Sequence, residues 1–328
     1  METWLGLQIQ YLLLLQEFRE ITNGIFDYFF ISSTWLGEII VPFTFLSIIY
    51  WGINKKAGEF LFLVFGINLY FNVFLKMFAC IPRPWILDER VCPIKSVMPM
   101  ADGYSFPSGH TAGAMSVWGG TAFYFWKNKA IRWITILLVC LVAFSRNYVG
   151  VHTPQDVIVS IIAGIIVILS TKKIQNWLDS NQTKRENIFY FITLFMGILL
   201  CLYLKIKCHL RMQTYDASSD IINPQAMYYS TFGKMGFFFG LFCGWFLERK
   251  FVKFEIPNGC SWQKILMLTF GIILLFGSAT ILKHQLLNIL EYRYVSAIIS
   301  AYAGIFMTFL YPIAIKLTQN KNNTHETI

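Results

Sequence analysis

The stretch "YSFPSGHTAG" (residues 104–113) runs directly into the apolar "AGAMSVWGGTAFYFW" (112–126). Pro107, Ser108, Gly109 and His110 fill four consecutive positions at the mouth of that run. A helix that only faces lipid has no use for a hydroxyl, a flexible glycine and an imidazole there. The stretch therefore reads as a membrane helix whose outer end carries chemistry. A helix N-terminus presents free N–H groups and a partial positive charge, which suit phosphate oxygens. Gly109 lets backbone approach a guest without a Cβ, Ser108 adds a hydroxyl donor and Pro107 stiffens the approach.

The rest of the chain agrees with a membrane setting. Of its 328 residues 56% are hydrophobic and only 14% charged, with 31 Phe and 10 Trp. That composition excludes a soluble domain of this size. Open sheets cannot satisfy their backbone in lipid, and the apolar runs are too long and continuous for barrel strands, so the fold class is all-α, a polytopic transmembrane bundle. Runs of spanning length fall near 34–53, 58–80, 109–126, 131–148, 155–171, 187–206, 227–247, 263–282 and 294–314, which predicts about nine spans.

The N-terminal "METWLGLQIQYLLLLQEFRE" lacks a basic leader region and a small-residue cleavage site. It reads as an interfacial amphipathic segment over 1–33, with a re-entrant segment as the alternative. A core over 34–186 holds the chemical motifs, further helices occupy 187–315, and a polar, disordered tail is expected over 316–328. Net charge is +9. Here it reflects basic loops on the cytoplasmic side, not nucleic-acid binding. Lys55, Lys56, Lys127, Lys129, Arg132, Lys172, Lys173, Arg249 and Lys250 fall on one side. This places the 81–108 and 146–154 loops on the extracytoplasmic face. Both glycosylation-type sequons, at Asn181 and Asn322, fall inside and read as chance matches. The seven cysteines lack metal-type spacing, and a Cys80–Cys92 bridge is left open. Gly236, Gly240 and Gly244, spaced by four, predict a close-packing face for another helix.

Three outer-face stretches carry polar groups that lipid-facing helices avoid: "KMFACIPRP" (76–84), "PSGH" (107–110) and "SRNYVGVHTPQD" (145–156). Lys76, Arg83 and Arg146 are cations at one membrane depth, which repel unless an anion joins them. Arg offers a planar fork to two phosphate oxygens and Lys a point charge. His152 and Asp156 lie one helical turn apart across Pro154, so the carboxylate can fix the imidazole tautomer and free the other nitrogen as a nucleophile. His110 can hand a proton to a leaving oxygen. His209, His284 and His325 have no such surroundings.

Together these stretches resemble the three signature motifs of the type 2 phosphatidic acid phosphatase (PAP2) superfamily, K-x6-RP, PSGH and SR-x5-H-x3-D. Every motif position is filled: Lys76, Arg83 and Pro84, then Pro107 to His110, then Ser145, Arg146, His152 and Asp156. The resemblance implies a membrane phosphatase that uses no metal or other cofactor. It implies that His152 attacks phosphorus to form a phosphohistidine, Asp156 orients His152, and His110 protonates the leaving alcohol. Lys76, Arg83, Arg146, Ser108 and the Gly109 amide would hold the phosphoryl oxygens. The partners it implies are membrane lipids and a phosphorylated lipid, such as undecaprenyl pyrophosphate, phosphatidate or phosphatidylglycerophosphate. The layout, with three spans beyond a six-span core, is also similar to that of glucose-6-phosphatase of the same superfamily, which leaves a sugar phosphate as the alternative. A phosphotransferase and a non-catalytic lipid-binding or transport role stand behind these. The expected setting is the cell membrane, with the site on the extracytoplasmic face. In loop 81–108, Trp85, Arg90, Lys95, Asp102 and Tyr104 could select headgroups, against a plain solvated loop.

Overall fold

The computed structural model describes residues 2–38, 40–101, 103–180, 182–215, 222–257 and 261–325. Asn181, Asp102 and Cys260 lie outside these residues. The chain is helical, and no strand occurs among the described residues. In chain order the helices are α1 (Glu2–Ile21), α2 (Asp27–Thr34), α3 (Ile40–Ile48), α4 (Lys55–Ala79), α5 (Pro84–Leu87), α6 (Gly109–Ala114), α7 (Gly120–Tyr124) and α8 (Lys129–Tyr148). They continue with α9 (Pro154–Asp179), α10 (Gln182–Gln213), α11 (Pro224–Leu247), α12 (Ser261–Leu287), α13 (Tyr292–Ile305) and α14 (Tyr311–His325). A π-helical segment, Met115–Gly119, joins α6 to α7, and another, Phe306–Leu310, joins α13 to α14.

Six helical stretches are long and apolar enough to cross a membrane: Lys55–Leu87, Lys129–Tyr148, Pro154–Asp179, Lys184–Gln213, Trp262–Leu287 and Tyr292–Gln319. A bent pair, Asp27–Gly37 and Ile40–Ile53, makes a seventh if counted as one span. The remaining two of the nine expected runs are helical, as α6 to α7 and as α11, but are not among these crossing stretches. The first expected span, 34–53, is not one straight helix. It breaks at Glu38, where the chain bends by 50°. A 3₁₀ turn, Trp35–Gly37, ends the first half, and Glu38 takes an extended conformation. α1 is not among the crossing helices.

The chain divides into two compact units. The first comprises Met1–Phe43, Ile67–Ser170 and Leu204–Tyr228 and holds all three motifs. Its loop core is formed by Val97, Ala101, Tyr148, Val149 and Val151, with Phe30, Ile31, Trp85 and Ile94 packed against them. α1 docks here through Ile9 and Leu12 on Val91. Gln8 of α1 accepts the Gln155 N–H at 3.0 Å at the start of α9, and Arg19 donates to the Cys92 carbonyl at 3.0 Å. Cys92 N–H in turn donates to Gln16 at 2.8 Å. Cys80 and Cys92 are free thiols, so the bridge left open by the sequence is not formed.

The second unit comprises Thr44–Gly66, Thr171–Tyr203 and Tyr229–Ile328. Gly236, Gly240 and Gly244 of α11 meet the 297–308 segment: added Cβ atoms would collide with the Ala297 and Ala301 carbonyls and the Thr308 hydroxyl. The glycine spacing thus serves an intramolecular contact. Buried Arg249 pairs with Glu59 and Glu186, each at 2.6 Å, and Lys55 pairs with Glu248 at 2.8 Å. On α10 and α12, Phe191, Phe195, Ile265, Phe270 and Ile273 are exposed apolar side chains of the kind lipid solvates.

Candidate active site

The site is assembled within the first unit from three places. α4 ends in the first. Lys76, in its last turn, is buried and donates from Nζ to the Tyr104 carbonyl at 2.8 Å and the Ser105 carbonyl at 3.2 Å. Arg83 precedes α5, whose first residue is Pro84. Its guanidinium donates to the Gly103 carbonyl at 3.1 Å and the Val151 carbonyl at 2.9 Å, and its Nη1 lies 3.0 Å from His152 Nε2. Backbone carbonyls thus aim both cations.

The second place is the start of α6. Ser108 is its N-cap: the hydroxyl accepts the Thr111 N–H at 3.4 Å and the Thr111 hydroxyl at 3.0 Å. Its lone pairs therefore serve the helix, and its own proton remains for donation. Ser108 is tied to α9 as well, through its N–H to the Asp156 carbonyl at 3.1 Å and the Ser160 hydroxyl on its carbonyl at 3.0 Å. Gly109 follows as the first helical residue. A Cβ there would find only Asn72 Oδ1, at 3.9 Å, so the protein's own packing does not require glycine here. His110 Nε2 lies 2.6 Å from Glu38 Oε2.

The third place is the turn from α8 to α9. Arg146, in the last turn of α8, is 2% exposed, and its Nε has no hydrogen-bond partner among the described residues. α9 begins with a reciprocal cap: Asp156 accepts the Thr153 N–H at 2.9 Å, while the Thr153 hydroxyl accepts the Asp156 N–H at 3.4 Å. That cap fixes the carboxylate, which also meets His152 Nδ1 at 3.2 Å and accepts the Ser105 hydroxyl at 2.5 Å. Asn147 donates to the His152 carbonyl at 2.8 Å. Since Arg83 can only donate, His152 Nε2 must accept, and the ring proton belongs on Nδ1, facing Asp156. This is the tautomer in which Nε2 is unprotonated.

Electrostatics reinforce that state. Burial, then the positive charges of Arg83, Arg146 and Lys76, hold the His152 imidazole well below the ordinary histidine range. Both effects favour the neutral ring over the imidazolium. Lys76, Arg83 and Arg146 thus set three positive charges around one buried imidazole, an arrangement complementary to an anion.

All eight residues expected from the motifs lie in this unit, and direct hydrogen bonds link Arg83, His152 and Asp156. Two neighbours were not foreseen. Ser105 has no local sequence signal. Glu38 has one: an ionisable side chain within an apolar run of spanning length. Of the loop residues considered for headgroup selection, Arg90 forms an exposed pair with Asp88 at 2.7 Å, Lys95 is exposed, Trp85 packs on the loop core and Tyr104 is buried.

The class these features define is a polytopic helical membrane protein with a buried, cation-lined His–Asp pair. Residues 58–180 match the PAP2 superfamily, and residues 232–322 match the transmembrane extension of PAP2 superfamily phosphatases. The chain belongs to the PAP2 superfamily. It is similar to lipid phosphate phosphatase delta of Arabidopsis thaliana, at 25% identity over 58% of this chain and 48% of that protein. It is similar to undecaprenyl-diphosphatase BcrC of Bacillus subtilis, at 32% identity over 37% of this chain and 53% of that protein. The catalytic subunit 1 of glucose-6-phosphatase from Mus musculus is 27% identical over 55% of this chain and 56% of its own length. The chain thus spans about half the length of these curated relatives.

Proposed function

We propose that this chain is a membrane phosphatase that hydrolyses a lipid phosphate or diphosphate through a phosphohistidine, without a metal ion. The observation that carries this reading is how His152 is held, Nδ1 3.2 Å from Asp156 and Nε2 3.0 Å from Arg83 within a buried cationic cluster, which favours the Nδ1–H tautomer. His152 Nε2 attacks phosphorus, forming the P–N bond as the P–O bond to the leaving group breaks. His110 gives its proton to that oxygen. Arg83, Arg146, Lys76, the Ser108 hydroxyl and the Gly109 N–H bind the phosphoryl oxygens, whose charge spreads in the transition state. Water, deprotonated by His110, then attacks the phosphohistidine and releases phosphate. The positive charges stand where a metal ion would otherwise neutralise the phosphoryl group.

A lipid substrate is favoured by the location of the motifs at helix ends, where a headgroup can reach the site while its tail stays in the bilayer. Undecaprenyl pyrophosphate, phosphatidate and phosphatidylglycerophosphate are the types that fit. The basic loops support a site on the extracytoplasmic face of the cell membrane. A soluble sugar phosphate is the second reading, favoured by the similarity to glucose-6-phosphatase over more than half of this chain.

The test is phosphate release by purified protein from undecaprenyl pyrophosphate, phosphatidate and glucose 6-phosphate, with chelator present. Turnover that resists the chelator, prefers a lipid and is abolished in His152→Ala is expected. Turnover that survives His152→Ala, or none from folded protein on any substrate, sinks the reading.

A further inference from the structure

His152 is not the only imidazole of the site held by a carboxylate. His110 Nε2 lies 2.6 Å from Glu38 Oε2, with the two side chains 15% and 35% exposed. These residues are far apart in sequence, and the contact depends on a close approach of two backbones. Trp118 donates from its indole to the Leu36 carbonyl at 2.8 Å. A Cβ on Gly37 would stand 2.5 Å from the His110 carbonyl, and one on Gly113 would stand 2.9 Å from the Gly37 carbonyl. The Trp35–Gly37 turn therefore lies flat on the first turns of α6, and Glu38 comes next in the chain. The break in the first apolar run is what delivers this carboxylate.

The two histidines are gripped by opposite nitrogens. Asp156 takes His152 by Nδ1, and Glu38 takes His110 by Nε2. Resting on the phosphatase reading above, we infer that Glu38 is a positioning residue for His110, fixing its Nε2–H so that Nδ1 is the nitrogen that serves the leaving oxygen. The imidazolium donates Nε2–H to Glu38 and carries its transferable proton on Nδ1. As the P–O bond breaks, its electron pair goes to the leaving oxygen, the Nδ1–H bond breaks and the new O–H bond forms. His110 is left neutral as the Nε2–H tautomer, with an Nδ1 electron pair ready to accept a proton from the attacking water. An ionised carboxylate on the far nitrogen stabilises the charged acid more than an amide can.

A leaving group that needs no proton separates this role from a merely structural one. Glu38→Gln is compared with the wild type on phosphatidate, whose leaving alkoxide must be protonated, and on p-nitrophenyl phosphate, whose phenolate leaves unaided. Undecaprenyl pyrophosphate, whose leaving phosphate is also stable as an anion, replaces the aryl ester if that is not turned over. We expect kcat on phosphatidate to fall about 10- to 100-fold, a share of the usual contribution of general acid catalysis, with less than about threefold loss on the activated substrate. Glu38→Asp, which keeps the charge, should recover part of the phosphatidate rate, and it takes over the comparison if the Gln variant melts early. Equal losses on both substrates overturn the inference. So does faster phosphatidate turnover, which would mean that Glu38 occupies the place of the leaving group. Wild-type protein that releases no phosphate from any of the three removes the phosphatase reading and this inference with it, an outcome distinct from those two.

Discussion

Replacing Asp156 by Asn tests the centre of the site while leaving its shape nearly unchanged. Asp156 is 2% exposed, and one oxygen, Oδ2, receives the Ser105 hydroxyl at 2.5 Å, the His152 ring at 3.2 Å and the Thr153 N–H at 2.9 Å. An Asn carbonyl can occupy the same point and keep the cap of α9, so stability should change by no more than about 1 kcal/mol. What disappears is the negative charge facing His152 as that ring becomes positive on forming the P–N bond. A hydrogen bond to a charged group exceeds a neutral one by roughly 1–1.5 kcal/mol. Two unit charges about 4 Å apart at an effective dielectric of 20 interact by about 4 kcal/mol. The loss should therefore lie between about 1 and 5 kcal/mol, roughly 5- to 5,000-fold in rate. Because the effect belongs to the transition state, it should appear in kcat on phosphatidate, with KM little changed. The variant's melting temperature in detergent provides the folding control. A folded Asp156→Asn enzyme whose kcat stays within twofold of wild type would refute the role given to this carboxylate.

Two further outcomes follow from the same geometry. The pH dependence of kcat/KM reports the free enzyme. His152 must be neutral to attack, and burial with three neighbouring cations lowers its pKa, so activity should persist below pH 6.5 and fall only as pH drops through the depressed value. A profile corrected for substrate ionisation, with an acidic limb at or above the ordinary histidine value, would contradict this. Gly109→Ala should fold normally, since its Cβ meets nothing closer than Asn72 Oδ1 at 3.9 Å, yet lose at least about tenfold in kcat/KM if the proposed phosphoryl oxygens approach that amide, because the methyl group fills the space they need. Unchanged turnover would show that no substrate atom approaches that amide.

Much of this protein can be read directly from the order of its residues. The apolar runs at 58–80, 131–148 and 155–171 become α4, α8 and α9, because a lipid-crossing backbone has to satisfy its hydrogen bonds within each helix. The His152–Asp156 contact is equally local. Thr153, Pro154 and Asp156 start α9 by rules that act over one turn, and that turn carries the carboxylate to the imidazole. The glycine face of α11 could be recognised from spacing, but not its partner segment.

Tertiary structure decided the rest. The expected 34–53 span breaks at Glu38; Gly37 and Pro42 permit a break there, but the bend itself follows from Gly37 seating on α6 and Trp118 holding Leu36. Glu38 and His110 stand 72 residues apart, and Ser105 and Asp156 stand 51 apart. Neither separation has a period that a sequence pattern could reveal. The sequence alone determined which groups make up the candidate site, since motif spacing and hydrophobic length act within one helix or one turn. Which nitrogen of each histidine is held, and by which carboxylate, depended on contacts between distant segments, and only packing could bring those together.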